Sequence, residues 1–339
     1  MKLLLHEISV PLLKPFKISR GTVNEQTILI VELQKDGQSG FGEVGENGYY
    51  GHSLETMTES ILRVTSRVES TCLSSGDAVW EAVNEQLSSD RFALSALDMA
   101  AQDLFAKLHG RPCYQEWGLQ WTSLPESSFT ISIGTPEEMV LQLKEQPGWR
   151  IYKIKLGVPD DIEIVRALRL HTDAVLRVDA NCAWTVQEAI TKSIVLKDLG
   201  VEFIEQPLPR ESTKEEQELV YRESALPIIA DESCCLPRDV ERCAGAFHGI
   251  NVKLCKCGGP TPALAMLKQA RSLGLHTMIG CMLETSIGIS AAAQLLPLLD
   301  YADLDGAILL GNDPAEGVTI DRGVVSLANR PGCGGRLKQ

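Results

Sequence analysis

Three carboxylates recur at an equal spacing in the middle of the chain. Asp179, Glu205 and Asp231 each end a short run of apolar β-formers, and 26 residues separate each acid from the next. None of them is accompanied by a histidine or a cysteine. Three hard oxygen ligands of this kind suit Mg²⁺, with Mn²⁺ as a substitute, rather than zinc. The spacing therefore predicts a divalent metal site.

Two lysines flank this set at similar distances. Lys155 lies 24 residues before Asp179, and Lys253 lies 22 residues after Asp231. Each interval fits one strand, one helix and two short loops, the repeat of a (β/α) barrel, in which active sites lie at the C-terminal ends of the strands. Lys153 is two residues before Lys155 and leaves the same face of the strand, which we expect to be the barrel interior.

The positions of the lysines indicate acid–base chemistry. Lys253 follows Lys155 by four strands, so in an eight-stranded barrel the two amines stand on opposite sides of the metal. Such a pair can remove a proton from one face of a carbon and return it to the other, as a racemase or epimerase requires. Asp303 and Asp305 also share one face of an extended segment. They form either an acidic loop or a clamp for a substrate ammonium group.

The pattern of elements predicts an α/β protein built as a TIM-type barrel with an α+β capping domain. Residues 1–118 show strand-like runs at 3–10 and 27–33, an Asp36-Gly37 turn, and helices at 54–66, 77–87 and 91–108. Residues 119–310 form the barrel, and residues 311–339 return to the capping domain through a strand at 323–327. The eight barrel strands are expected to end near Ile133, Lys155, Asp179, Glu205, Asp231, Lys253, Gly280 and Leu309.

Composition narrows the choice of partners and location. The net charge of −13 argues against nucleic acid and against anionic membranes. The apolar run at the N-terminus is too short for a signal peptide, and no apolar run is long enough to span a bilayer. We expect a cytoplasmic protein whose ten cysteines remain thiols. A small-molecule substrate is expected, and a homo-oligomer is compatible with the sequence.

The chain resembles the enolase superfamily, specifically its muconate-lactonizing subgroup and, within that, the dipeptide epimerases. The resemblance covers essentially the whole chain. It rests on Lys153-Ile-Lys155, Asp179-Ala-Asn181, Glu205-Gln-Pro207, Asp231-Glu-Ser233, Asn251-Val-Lys253 and Gly258-Gly259. It implies Mg²⁺ on the three carboxylates, Lys155 and Lys253 as the two bases, and a 1,1-proton transfer through an enediolate.

The resemblance also implies how a substrate is held. Asp303 and Asp305 would bind the α-ammonium of a dipeptide, and Lys153 would polarise its carboxylate. Arg20 stands where L-Ala-D/L-Glu epimerases carry an arginine for the glutamate side chain. Two loops, 16–21 and 46–51, would close over the barrel. Glu284 has no assigned role. Dipeptides with other side chains remain open, as do the subgroup's other reactions: o-succinylbenzoate synthesis, N-acylamino-acid racemisation and cycloisomerisation.

Overall fold

A three-stranded antiparallel sheet opens the chain in the computed structural model, which describes residues 1–338. Its strands, in the order β1-β2-β3, are β1 (Lys2–Ile18), β2 (Gly21–Lys35) and β3 (Gln38–Gly45). The predicted turn after β2 is confirmed: Asp36 and Gly37 have φ of 51° and 76°, as a two-residue hairpin turn requires. The β1–β2 hairpin is longer than predicted, because its outer part pairs through the backbone while its side chains are largely exposed and show no apolar alternation.

Four helices follow, and the third of them is the centre of this part of the fold. The helices are α1 (Leu54–Ser70), α2 (Ala78–Val83), α3 (Arg91–Leu108) and α4 (Cys113–Glu116). Helix α3 packs on β3 so closely that a Cβ on Gly40 would lie 2.3 Å from the carbonyl oxygen of Ala100. A Cβ on Gly42 would lie 2.1 Å from the carbonyl oxygen of Ala96. Glycine at both positions is therefore what allows the helix to lie against the sheet.

Eight parallel strands pair in chain order and form the barrel, as predicted. They are β4 (Phe129–Ile131), β5 (Ile151–Lys155), β6 (Val175–Asp179), β7 (Val201–Glu205), β8 (Ile228–Ala230), β9 (Gly249–Val252), β10 (His276–Gly280) and β11 (Tyr301–Asp303). A bridge between Ser127 and Ala302 joins the last strand to the segment before the first. The expected end of the eighth strand near Leu309 is wrong. That apolar run forms a 3₁₀ turn, and Leu310 packs against Val10 and Ile28 of the first sheet.

The helices between and after these strands surround the barrel. They are α5 (Pro136–Glu145), α6 (Asp161–Arg169), α7 (Val186–Asp198), α8 (Lys214–Glu223), α9 (Pro237–Cys243), α10 (Leu254–Cys257), α11 (Pro260–Ser272) and α12 (Ser286–Ala293). Helices α5, α7 and α8 each begin with Thr-x-x-Glu capping boxes, which satisfy the first free amides of the helix. None of the helices within residues 1–338 is long and apolar enough to cross a membrane.

Apolar and aromatic side chains fill the floor of the barrel. One cluster consists of Phe203, Ile229, Met278 and Tyr301. Each of these residues lies two positions before the last inward-facing residue of its segment. The guanidinium of Arg177 lies over the rings of Tyr301 and Phe203, at 4.9 and 5.2 Å from their centroids. The carboxylates predicted at the strand ends lie directly above this layer, because side chains two residues apart on a strand share a face.

The C-terminal tail contains two small antiparallel pairs. Strand β12 (Ala315–Glu316) pairs with β15 (Arg336–Leu337), and β13 (Thr319–Asp321) pairs with β14 (Val324–Ser326). The prediction that the strand at 323–327 returns to the capping domain is therefore wrong, since its partner lies within the tail. Other residues of the segment 311–339 do contact the first part of the chain: the backbone of Gly332 bonds Arg111 and Cys113 at 2.8 and 2.9 Å, and the N–H of Cys333 donates to Asp103 at 2.6 Å. Gln339, in the predicted 311–339 segment, lies outside the described residues.

A buried carboxyl joins helix α3 to the barrel. Asp98 accepts hydrogen bonds from the backbone N–H and the hydroxyl of Thr261 at 2.7 and 2.8 Å. Burial raises the pKa of Asp98 to about 8, and the two hydrogen bonds from Thr261 only partly offset it. The native state therefore holds a proton on Asp98 at pH values where the unfolded chain, with an ordinary pKa near 4, has lost it.

Asp98→Asn should make the protein's stability less sensitive to pH. A raised native pKa means that the native state binds more protons than the unfolded state between about pH 4 and 8. Wild-type stability should then fall relative to the variant as pH rises through that window, by up to ~1.4 kcal/mol per pH unit. Urea unfolding of both proteins at pH 5, 6, 7 and 8 measures this difference. Parallel stability profiles would show that Asp98 is already ionised in the native state.

Candidate active site

The three predicted carboxylates lie together at the top of the barrel. Asp179 and Glu205 end β6 and β7, Asp231 follows β8, and all three are buried. One oxygen of each lies within 4.8 Å of the others. Neighbouring polar groups hold them in place: Asn251 Nδ2 donates to Glu205 at 2.9 Å, and the backbone N–H of Asn181 donates to Asp179 at 2.9 Å.

This cluster is suited to a divalent cation. Burial, with the nearby carboxylate of Asp179, raises the pKa of Glu205 to about 7. Three carboxylates so close together in a buried site repel one another, and a bound cation would relieve that repulsion. The ligands are all carboxylate oxygens, which favours a hard ion such as Mg²⁺ or Mn²⁺.

The lysines predicted to face the interior do so. Lys155 Nζ lies 2.7 Å from Asp179, and Lys253 Nζ lies 2.9 Å from Asp231. Burial opposes the charge on Lys253, but the carboxylate of Asp231 outweighs it and raises the pKa of that amine. Because β5 and β9 are four strands apart in the order of the barrel, the two amines approach the carboxylates from opposite sides.

Lys153 connects the carboxylate cluster to the predicted clamp. Its buried Nζ lies 2.8 Å from both Glu205 and Asp303 and 3.2 Å from Asp179. Burial disfavours this ammonium, yet the surrounding carboxylates hold the pKa of Lys153 well above its usual range. The charge of Lys153 is thus a fixed part of the site.

The sequence did not identify a fourth lysine. Lys256 Nζ is buried and donates to the carbonyl oxygen of Asp231 at 2.6 Å, with a further contact to its carboxylate. Lys256 stands three residues after Lys253 on the short helix α10, so the two amines leave the same side of one turn. This three-residue spacing was the feature of the sequence that could have identified Lys256 as a site residue.

Asp303 and Asp305 both line a cavity at the mouth of the barrel, although only Asp303 has the extended backbone that was expected for both. Asp303 ends β11, whereas Asp305 precedes a 3₁₀ turn. Asp303 already pairs with Lys153 and accepts from Ser128 Oγ at 2.8 Å. Asp305 accepts from the backbone N–H of Thr130 at 2.6 Å. Burial, with the neighbouring charge of Asp303, raises the pKa of Asp305 to about 7, so this carboxyl is the member of the pair that an added cation would stabilise.

Two loops of the first sheet cover the barrel mouth, and both match the predicted positions. Arg20 lies at the tip of the β1–β2 hairpin, and Tyr49 lies in the loop after β3. Both line a cavity of about 380 Å³ that also contains the predicted lysines and Asp303 and Asp305. This volume is in the range of sites for small molecules.

Arg20 does not point freely into this cavity. Its Nη2 lies 2.8 Å from Glu232, its Nη1 donates to the backbone oxygen of Asn181 at 3.0 Å, and its guanidinium stacks 4.1 Å from the ring centroid of Tyr49. Glu232 was not singled out as a site residue from the sequence. Its partner is 212 residues away, so neither spacing nor periodicity could have paired them.

Glu284 lies beside the site rather than in its lining. Its carboxylate accepts from the backbone N–H of Met282 at 2.8 Å. Glu43 of β3 lies nearby and accepts from Thr285 at the start of α12. Burial and the adjacent carboxylate of Glu284 raise the pKa of Glu43 to about 8. This pair joins the first sheet to the barrel.

Comparison with known proteins identifies the family. The mandelate racemase / muconate lactonizing enzyme N-terminal domain matches residues 3–118, and the enolase C-terminal domain-like family matches residues 137–339. The L-Ala-D/L-amino acid epimerase of Flavobacterium johnsoniae is 48% identical over 334 residues, covering 98% of this chain and 99% of the relative. A Maribacter protein of the same name is 46% identical over 340 residues, covering 100% of both chains.

Solved structures agree with this relationship. The dipeptide epimerase from Cytophaga hutchinsonii, in complex with Mg and the dipeptide D-Ala-L-Val, has a TM-score of 0.94 at 27% identity, covering 99% of this chain and 95% of that one. The chain belongs to the enolase superfamily. Within it the chain groups with the dipeptide epimerases, as the sequence resemblance predicted, and it is an isomerase of the racemase and epimerase type.

Proposed function

We propose that this protein is a metal-dependent dipeptide epimerase that inverts the Cα of the C-terminal residue by a two-base 1,1-proton transfer. Its substrates would be L-Ala-D/L-Glu and related dipeptides. The observation that carries the proposal is the placement of Lys155 and Lys253 on opposite sides of the three-carboxylate cluster. One amine can take the proton from one face of Cα while the other supplies a proton to the opposite face.

Asp179, Glu205 and Asp231 would hold Mg²⁺, with Mn²⁺ as a substitute. The bound cation would neutralise the charge that develops on the substrate carboxylate when the adjacent Cα–H is lost. Lys153, whose pKa the surrounding carboxylates keep high, adds a fixed positive charge beside the same position. With a substrate bound, the two covering loops would exclude water, which would strengthen these electrostatic interactions.

The cavity wall favours a substrate with a free ammonium group. Asp305 has a raised pKa because it is buried next to Asp303, and a substrate cation at that wall would stabilise its ionised form. Substrates of cycloisomerisation and of o-succinylbenzoate synthesis carry no ammonium and would leave this carboxyl without such a partner. Asp303 would contribute mainly by orienting Lys153, with which it is paired.

We also propose domain boundaries at 118/119 and 310/311, Mg²⁺ as the native ion, a cytoplasmic location, and the roles of the site residues given above. Incubation of the purified protein with Mg²⁺ and a series of L-Ala-L-Xaa dipeptides in D₂O tests the reaction. Proton NMR should show loss of the Cα–H signal of the C-terminal residue together with formation of the epimer. Inertness toward every dipeptide would contradict the proposed function.

Asp305→Asn should lower kcat/KM on all dipeptides alike, because every dipeptide carries the α-ammonium. Loss of a charged hydrogen bond predicts a reduction of ~10- to 150-fold, equivalent to ~1.5–3 kcal/mol. Asp303→Asn should also affect all dipeptides, but through Lys153 as well. The matched substrate is an N-acetyl dipeptide, which lacks the ammonium and should lose little further activity on Asp305→Asn. An equal reduction of kcat/KM on free and acetylated dipeptides would show that Asp305 does not bind the ammonium group.

A further inference from the structure

The contact between Arg20 and Glu232 joins the covering hairpin to the barrel. Arg20 reaches from the hairpin tip and Glu232 follows the carboxylate Asp231 on the barrel rim. Their 2.8 Å ion pair is accompanied by the 3.0 Å hydrogen bond from Arg20 to the backbone oxygen of Asn181. Two N–H groups on one side of the guanidinium are therefore already occupied by acceptors of the protein itself.

This pair faces the cavity from the side opposite the proposed ammonium site. Asp305 lies by β4, to whose Thr130 it is bonded, and Glu232 follows β8, four strands away in the barrel order. A dipeptide with its ammonium at Asp305 and its carboxylate at the central cluster would extend its C-terminal side chain toward the Arg20–Glu232 wall. Both residues line the same cavity.

The charges of the pair cancel at this wall. Glu232 is almost fully buried, with its side chain 1% exposed, whereas the Arg20 side chain is 28% exposed. An acidic substrate side chain that used the same N–H groups would have to displace Glu232, leaving a buried carboxylate without its partner, which is strongly unfavourable. An uncharged side chain leaves the pair intact.

The second oxygen of Glu232 adds a preference of its own. Oε2 is buried and has no hydrogen-bond partner among residues 1–338. A basic side chain at this wall would reach Oε2 once the Glu232 side chain turned toward the cavity, which that residue lines. The wall is thus unfavourable to acidic side chains and acceptable to uncharged or basic ones.

We propose that Glu232 is a specificity-determining residue: by occupying Arg20, it opens the side-chain subsite to uncharged and basic C-terminal residues and limits the advantage of glutamate. This inference rests on the proposed dipeptide epimerase function. Arg20 alone would select glutamate, since a guanidinium matches a carboxylate in two hydrogen bonds. Selectivity is therefore a property of the pair.

The test compares kcat/KM on L-Ala-L-Glu, L-Ala-L-Leu and L-Ala-L-Lys for wild type, Glu232→Gln, Arg20→Met and the double variant. Glu232→Gln should raise the Glu/Leu ratio at least tenfold and lower the Lys/Leu ratio, as expected for a freed guanidinium and a lost acceptor. Arg20→Met should lower the Glu/Leu ratio. Glu232→Asp, which keeps the charge, should stay closer to wild type than Glu232→Gln does.

The double variant separates this role from a structural one. With methionine at position 20, Glu232→Gln should raise the Glu/Leu ratio much less, because only the repulsion by Glu232 is removed and there is no guanidinium to release. A general effect of Glu232 on its neighbour Asp231 would reduce turnover of all three substrates and cancel in the ratios. If the wild-type protein epimerises dipeptides but Glu232→Gln leaves both substrate ratios unchanged, this inference alone is overturned. A wild type that epimerises no dipeptide would overturn the proposed function and this inference with it.

Discussion

Alanine at Lys155 or at Lys253 should abolish epimerisation, with rates reduced by ~10²–10⁴-fold or more, because each amine serves one face of Cα. The two variants should nevertheless differ from an inactive protein. In D₂O, each should still exchange the Cα proton of one isomer of the C-terminal residue through the surviving lysine, and the two variants should act on opposite isomers. NMR of both isomers of one dipeptide with each variant measures this.

A matched control is Lys144→Ala, which removes an exposed lysine on helix α5 outside the cavity. It should epimerise like wild type. If either Lys155→Ala or Lys253→Ala epimerises at the wild-type rate, the two-base mechanism is wrong. If both variants exchange the same isomer, the lysines do not stand on opposite faces of the substrate.

Removal of the metal site should have an effect of similar size. Glu205→Gln should weaken binding of Mg²⁺ or Mn²⁺ and lower turnover by orders of magnitude, as should Asp179→Asn and Asp231→Asn. Calorimetric titration of the metal-free protein with Mn²⁺ provides a readout independent of activity. Glu163→Gln, an exposed acid on α6, is the control and should bind the ion like wild type. Undiminished activity after exhaustive chelation would contradict metal dependence.

The three ligand variants should differ in the stability of the metal-free protein. Asp231 neutralises both Lys253 and Lys256, so its replacement leaves two buried amines without their carboxylate and should destabilise the fold by ~3–5 kcal/mol. Glu205 is the acid whose pKa is raised in the crowded site, so Glu205→Gln should cost much less. Thermal unfolding without metal distinguishes them. Equal losses would mean that the lysines do not depend on Asp231 for their charge.

The residues at strand ends could be predicted because two simple periodicities locate them. A strand places alternate residues on one face, and a barrel brings the ends of all its strands to one rim, so Lys155 and Asp179 were placed with no knowledge of their contacts. The same reasoning failed at Leu309, where an apolar run resembled a strand. Its neighbour Leu310 is buried between the barrel and the first sheet, and periodicity alone does not reveal what covers an apolar residue.

Contacts between distant segments were beyond prediction from the sequence. Arg20 was assigned to a substrate carboxylate by resemblance, but its partner in the structure is Glu232, which directly follows Asp231 at the barrel rim. The outer part of the β1–β2 hairpin was not predicted, because it is held by backbone pairing and its exposed side chains show no apolar alternation. These are tertiary effects, which local patterns do not encode.

Because the floor of the barrel is packed, the active-site cavity opens only at the end covered by the loops. Phe203, Ile229, Met278 and Tyr301 close the lower end of the barrel, and Arg177 lies over the rings of Phe203 and Tyr301. Every substrate that reaches Lys155 or Lys253 and every product that leaves must therefore pass beneath the hairpin tip that carries Arg20. If Arg20 selects the side chain as proposed, its bonds to Glu232 and Asn181 also fix the hairpin tip at the entrance, so substrate entry and selectivity would depend on the same bonds.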